Sequence, residues 1–141
     1  MIRIVADTNV LVSACIGRAP ASKVIEACLD GRLKPMLSLA LYLEYEDVVN
    51  RAALFRRARL NIVERNQVLD AILANAALVD ISYRWRPNLR DEADNHLIDL
   101  AVAANARYLV TSNVRDFRGG ELRFDHIEVV DPARLIEELT R

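Results

Sequence analysis

The chain has little histidine, little cysteine, no excess of positive charge and no long apolar run, and each shortage excludes a class of function. Its two cysteines, Cys15 and Cys28, lack partners at zinc-finger spacing, so a structural zinc knuckle is excluded. Both sit among apolar residues and read as reduced core side chains rather than a disulfide. The two histidines, His96 and His126, lie far apart and form no H-x-x-x-H pair. His96 reads as a helix-face residue and His126 as a strand-edge one. A formal net charge of −1 gives no overall electrostatic drive toward nucleic acid, so any such binding needs a local patch. No apolar stretch is long enough to span a bilayer. The first apolar run is brief and ends on Asp7, unlike a signal peptide, so the expectation is a cytoplasmic protein with no membrane contact. There is no repeat, linker or low-complexity tract. The 141 residues are expected to form one domain, 1–141.

What is present is an alternation. "IRIVA" (2–6) reads as a short buried strand, and "TNVLVSACI" as a helix ending near Gly17. "APASKVIEACLDGR" is a second helix, with Pro20 in its first turn and Gly31 at its stop. "PMLS" is a strand. "LALYLEYEDVVNRAALFRRARL" is helical with a break near Arg51, and "NIVERNQVLDAILANAAL" is helical. "LVDI" reads as a strand, "YRWRPNLR" as a loop, "DEADNHLIDLAVAANA" as a helix opened by Asp91, and "RYLVTSN" as a strand. "HIEVV" is the last strand and "DPARLIEEL" the last helix, with Asp131 as N-cap and Pro132 at N1. Strands alternating with helices imply an α/β fold with a mostly parallel sheet covered on both faces.

In such a sheet, ligands bind beyond the carboxyl ends of the strands. Asp7 follows the first strand directly. Asn113 and Asp116 follow "RYLVTS". Glu44 lies on the helix after "PMLS", and Asp94 in the first turn of the "DEADNHL" helix. Each has an ordinary alternative: Asp7 as a helix cap, Glu44 as a solvated helix residue, Asp94 as a partner of the helix dipole, Asp116 as a turn residue. Their joint placement at one edge is what points to chemistry. Two carboxylates about 5 Å apart repel by roughly 3 kcal/mol at an effective dielectric near 20. Relief comes from raised pKa values or from a divalent cation. Acids without histidine or cysteine companions favour Mg²⁺ or Mn²⁺ over zinc.

The strings "IVADTNVLVSA", "LALYLEYEDVV", "DEADNHLIDLAVAANARYLVTSN" and "VRDF", in this order, resemble the PIN domain family, and within it the VapC-type toxins. The resemblance spans nearly the whole chain. It implies a three-layer α/β/α sandwich and a Mg²⁺- or Mn²⁺-dependent endoribonuclease, with a small antitoxin and a second copy of the chain as partners. The family's first three acids fall on Asp7, Glu44 and Asp94. A fourth often follows the late-strand threonine, but the chain reads "TSN" there. Asn113 takes that place, which puts a second metal site in doubt, and Asp116 is the substitute candidate. Thr8, Asn9, Thr111 and Asn113 match positions that orient carboxylates or water, beside ordinary capping and turn roles.

The implied chemistry is hydrolysis of an RNA phosphodiester. The cation would polarise a phosphoryl oxygen and acidify water, and the cut would leave a 5′ phosphate. Arg115 and Arg118, which bracket Asp116, are candidate phosphate contacts. The cluster Arg51, Arg56, Arg57 and Arg59 is either another set or a solvated face. Tyr83 and Trp85 read as anchors for a partner or the core, or as a stacking platform. Two other readings stand beside this one. One is a PIN domain that has lost catalysis and serves as a binding module. The other is a haloacid-dehalogenase-like phosphatase, which normally wants an Asp where the chain has Asn9.

Overall fold

The computed structural model describes residues 1–81, 92–117 and 126–140, with 92–94 described by backbone alone. Strand β1 (Ile2–Ala6) is the middle of a five-stranded sheet of order β3-β2-β1-β4-β5, in which every registered pair is parallel. Its neighbours are β2 (Leu33–Leu37), with Ile2 opposite Leu33, and β4 (Tyr108–Val110), with Ala6 opposite Val110. The edges are β3 (Ala77–Leu78) and β5 (Glu128–Val130).

The apolar run of β1 is continuous because both faces of the strand are covered. Val5 packs with the larger cluster, which includes Leu41 and Tyr45 of α3 (Leu39–Val49), Leu69 and Ile72 of α4 (Ile62–Asn75), and Leu97 and Leu100 of α5 (Glu92–Ala103). Its neighbours Ile4 and Ala6 point the other way. They meet Val24 and Ala27 of α2 (Ala19–Leu29) and Leu135 of α6 (Pro132–Leu139). Helix α1 (Thr8–Ile16) straddles the two, with Val10 in one cluster and Leu11 in the other. The architecture is therefore helix, sheet, helix. Burying an aliphatic side chain this completely contributes roughly 1.5–3 kcal/mol.

Capping follows the local sequence. Ser38 accepts from the Leu41 amide at 3.1 Å, Asn61 and Glu64 form a reciprocal capping box, and Asp131 accepts from the Arg134 amide at 2.8 Å. Gly17 ends α1 with φ +110°, a left-handed conformation suited to glycine.

Three expectations need correction. The helix expected through Leu60 stops at Val49, and only a single 3-10 turn, Ala52–Phe55, follows. The reason lies far away in sequence. The Arg59 and Leu60 amides donate to the Ile16 and Cys15 carbonyls of α1, at 3.2 and 3.3 Å, so they are unavailable to continue a helix. The strand expected at "LVDI" begins earlier, at Ala77, because Met36 and Leu37 of β2 fix the pairing; Val79 still donates to the Leu37 carbonyl at 2.8 Å. Strand β2 likewise starts at Leu33, before "PMLS", because Ile2 of β1 pairs there. The expected loop holding Tyr83 and Trp85 lies outside the described residues, as do Asp91 and Arg118.

Candidate active site at the carboxyl edge of the sheet

Strand order reverses at β1: β2 and β3 extend to one side, β4 and β5 to the other. The chains leaving β1 and β4 therefore separate in opposite directions and open a crevice between them. Asp7 is the first residue after β1 and Thr111 the first after β4. The Asp7 amide donates to the Val110 carbonyl at 2.8 Å, which pins the two exits together.

A polar network closes over this point. Thr111, fully buried, donates its hydroxyl to Asp7 Oδ2 at 2.9 Å. Its oxygen accepts from Asn9 Nδ2 at 3.3 Å and from the Asn113 amide at 3.1 Å. Asn9 Nδ2 also reaches Asp7 Oδ2 at 3.3 Å, while Asn9 Oδ1 accepts from the Ser112 amide at 3.1 Å. On the other oxygen, Asp7 Oδ1 accepts from the Thr8 amide at 2.7 Å and the Thr8 hydroxyl at 3.4 Å. Asp7 thus caps α1 and is also fixed from β4, across more than a hundred residues of chain. An ionised carboxylate gains from each such donor, because hydrogen bonds to a charged acceptor are stronger than neutral ones.

Glu44 reaches the same edge by another route. Tyr45, buried in the larger cluster, donates its phenol to the Ala6 carbonyl at the end of β1. This bond clamps α3 against the strand end and carries the adjacent Glu44 with it. The phenol's pKa is raised well above its ordinary value, first by burial, then by the Cys28, Asp7 and Glu44 charges. Tyr45 therefore stays a neutral donor, and it senses both carboxylates. Glu44 Oε2 meets His96 Nε2 of α5 at 3.1 Å; the imidazole side chain is 14% exposed and the carboxylate side chain 41%. Asp94 stands in the first turn of α5, two residues before His96, and its side chain lies outside the described residues.

Asp116 and Arg115 are exposed on the 3-10 turn Val114–Phe117 that follows β4. The Asp116 amide donates to the Asn113 carbonyl at 3.0 Å, and no described hydrogen bond ties its carboxylate to Asp7. The structure thus gathers Asp7, Thr8, Asn9, Thr111 and the Asn113 backbone into one network. It sets Glu44 beside α5 and leaves Asp116 and Arg115 at the rim.

His96 was read from the sequence as a helix-face residue of no special role. Its contact with Glu44 spans 52 residues, and the one sequence signal is its position two residues after Asp94. Asn95 and Asp99 of the same helix are also almost fully buried. Polar residues inside an otherwise apolar helix face were the overlooked cue.

Among the described residues, no group of three or more His, Cys, Asp or Glu side chains comes together in a way that could hold a metal ion. The donors that are described fit a hard divalent cation: carboxylates from Asp7 and Glu44, with no thiolate near them. Both cysteines are buried. Burial pushes the Cys15 thiol up to about 11, against a smaller opposing pull from Arg65, and the Cys28 thiol up to about 12, with help from Asp30. Neither supplies a thiolate near neutral pH.

The PIN domain family model matches residues 3–115. Among solved structures, the chain is similar to VapBC2 from Rickettsia felis, crystallised bound to a DNA fragment from its promoter. The TM-score is 0.58 and the identity 16%, over 92% of this chain and 98% of that one, so the likeness is one of fold. No curated protein matches the chain in sequence. No helix among the described residues is long and apolar enough to cross a membrane.

Proposed function

The chain belongs to the PIN domain family, whose members are generally nucleases, and from that premise we propose that it is a metal-dependent endoribonuclease acting as the toxin of a toxin–antitoxin pair. The observation that carries the reading is the carboxylate of Asp7, fixed by Thr8, Asn9 and Thr111 at the strand-order reversal. A helix cap needs only donors from its own helix; this one is also held by a buried hydroxyl from β4. Such support is what a ligand or reacting group requires, since a loosely held carboxylate loses much of its effect.

In this reading Asp7, Glu44 and Asp94 hold a Mg²⁺ or Mn²⁺ ion, which supplies charge neutralisation at the phosphoryl group and a source of hydroxide near neutral pH. The chain's own residues do the rest. Thr111 and Asn9 fix the Asp7 carboxylate so that no reorganisation is needed when substrate arrives. His96 fixes the rotamer of Glu44. Asp116, at the rim, orients the attacking water or serves a second ion, and Asn113 lines the approach beside it. Attack in line on phosphorus expels the 3′ oxygen and leaves the 5′ phosphate on the other fragment. Arg115 and Arg118 contact phosphates at the entrance. Residues 1–141 work as one cytoplasmic unit, assembled as a homodimer and silenced by a small antitoxin; the toxin–antitoxin complex among its structural neighbours supports the last point.

The test is cleavage of a panel of single-stranded and structured RNAs with Mg²⁺ or Mn²⁺, comparing wild type with Asp7→Asn. Cleavage by wild type that is lost in the variant supports the nuclease. Inactivity of a folded wild type on every RNA overturns it in favour of a binding module, the reading that Asn113 in place of an acid suggests. Sedimentation velocity checks the dimer, and a purely monomeric species removes that part.

A further inference from the structure

One cleft, about 370 Å³, starts at the candidate site and runs along the exposed side of α1. Thr8, Asn9 and Asn113 line its beginning, and Val12, Ser13 and Ile16 its length. Arg18 and Leu54 close its far end. Nine helical residues at about 1.5 Å each make this track roughly 13 Å long. Nothing in the proposed cleavage chemistry uses the far end, yet the fold builds it with care.

The construction starts from a buried cation. Arg65 is 5% exposed and has no carboxylate partner among the described residues. Its Nε donates to the Val49 carbonyl at 2.8 Å and its Nη1 to the Leu60 carbonyl at 3.1 Å, and its guanidinium lies 4.1 Å from the centre of the Phe55 ring. These contacts fasten both ends of the segment between α3 and α4. That segment docks on the end of α1 through the Arg59 and Leu60 amides. At Gly17 the fit is close: a Cβ there would lie 3.2 Å from Arg59 Cβ. Glycine therefore serves two needs, the positive φ and the passage of the Arg59 stem. The stem is laid against Gly17, next to Arg18. Both Arg18 and Arg59 are exposed, and neither makes an ion pair with a described residue. Arg51, in contrast, is neutralised by Asp47.

We infer that Arg18 and Arg59 form a clamp for a phosphate of single-stranded RNA, beyond the phosphate being cut, with the strand lying along α1. The inference rests on the nuclease reading and adds the path of its substrate. Charge complementarity selects the occupant: two unneutralised guanidiniums at the end of a cleft that begins at the catalytic acids. Ser13, between the two ends, offers a hydroxyl to the backbone on the way. A second cleft of about 290 Å³ also opens from Arg18 and Ser13, but it leads to Asp131, whose negative charge at the α6 cap turns a phosphate away. Arg56 and Arg57, exposed in the docked segment, strengthen the field without defining the contact.

The experiment is fluorescence anisotropy of a short fluorescein-labelled single-stranded RNA of mixed sequence, with a chelator present so that nothing is cut, across a salt series. Arg18→Gln and Arg59→Gln should each weaken binding about threefold and together about tenfold. The double variant should flatten the salt dependence by roughly 1.4 in log–log slope, near 0.7 for each lost phosphate contact on a single strand. Arg51→Gln should bind as wild type does. Wild-type affinity and slope in the double variant, with its melting temperature unchanged, overturn the clamp and leave the nuclease standing. Should Arg59→Gln lose its fold, Arg18→Gln alone decides, because that side chain makes no cap bond. A wild type that cleaves RNA while the double variant binds normally removes the clamp alone. A wild type that neither binds nor cleaves RNA removes both readings.

Discussion

The two ends of α1 are held by opposite means. At its N-terminus a negative charge is fixed by side chains: Thr8, Asn9 and Thr111 all serve the Asp7 carboxylate. At its C-terminus the fixing is done by backbone, with amides of a distant segment on the Cys15 and Ile16 carbonyls, and the charges left over are positive and exposed. The first arrangement immobilises a reactive group. The second immobilises a platform and leaves its arginine heads free to adapt. A catalytic carboxylate must not reorganise, whereas a phosphate contact of a single strand tolerates some play. Substitutions at the two ends should therefore fail differently.

The largest effect belongs to the N-terminal end. Asp7→Asn is expected to lower RNA cleavage about a thousandfold, near 4 kcal/mol in transition-state terms, while the melting temperature stays within a few degrees, because asparagine also caps helices. Rate and melting curve on the same preparation check this. A cleavage rate within tenfold of wild type would dissolve the contrast between the ends.

At the other end the largest effect is on stability. Arg65→Met keeps the bulk but leaves the Val49 and Leu60 carbonyls without their donor and ends the contact with Phe55. A loss of about 3 kcal/mol in urea unfolding is expected. Cleavage per folded molecule should fall far less than in Asp7→Asn.

Thr111→Val sharpens the comparison from the N-terminal side. It removes one donor to Asp7 and the acceptor of two further bonds in a fully buried position. Expected losses are about 2 kcal/mol of stability and about tenfold in rate, a combined signature absent at the C-terminal end. Gly17→Ala is the mildest. Positive φ and the tight approach of Arg59 together should cost about 1–2 kcal/mol, read as a shifted urea midpoint, with the rate constant for cleavage at saturating RNA unchanged.

The same contrast explains what the sequence made legible. The N-terminal end follows from local signals: a β-branched run stopping on Asp7, and "RYLV" stopping on "TSN". Parallel topology then puts both stops at one edge, so the neighbourhood of Asp7 and Thr111 was readable, though not the bond between them. The α/β/α layering and the caps at Asp131 and Pro132 were readable for the same reason, since alternation and cap residues act within a few positions. The C-terminal end was not. Residues 56–60 carry a helical pattern, and only the carbonyls of α1, some forty residues earlier in the chain, divert their amides. Arg65 reads as a surface residue because arginine is seldom buried without an acid. His96 was overlooked because its partner Glu44 lies on another helix.

The account turns on whether the acids at the carboxyl edge hold a divalent cation. Thermal unfolding of wild type, Asp7→Asn and Asp94→Asn with and without millimolar Mn²⁺ tests it without reference to any substrate. A cation at about ten times its Kd should stabilise wild type by roughly 1.4 kcal/mol, a rise of about 3–5 °C in Tm, with most of that rise gone in both variants. No rise in wild type, or an equal rise in all three proteins, would contradict the account.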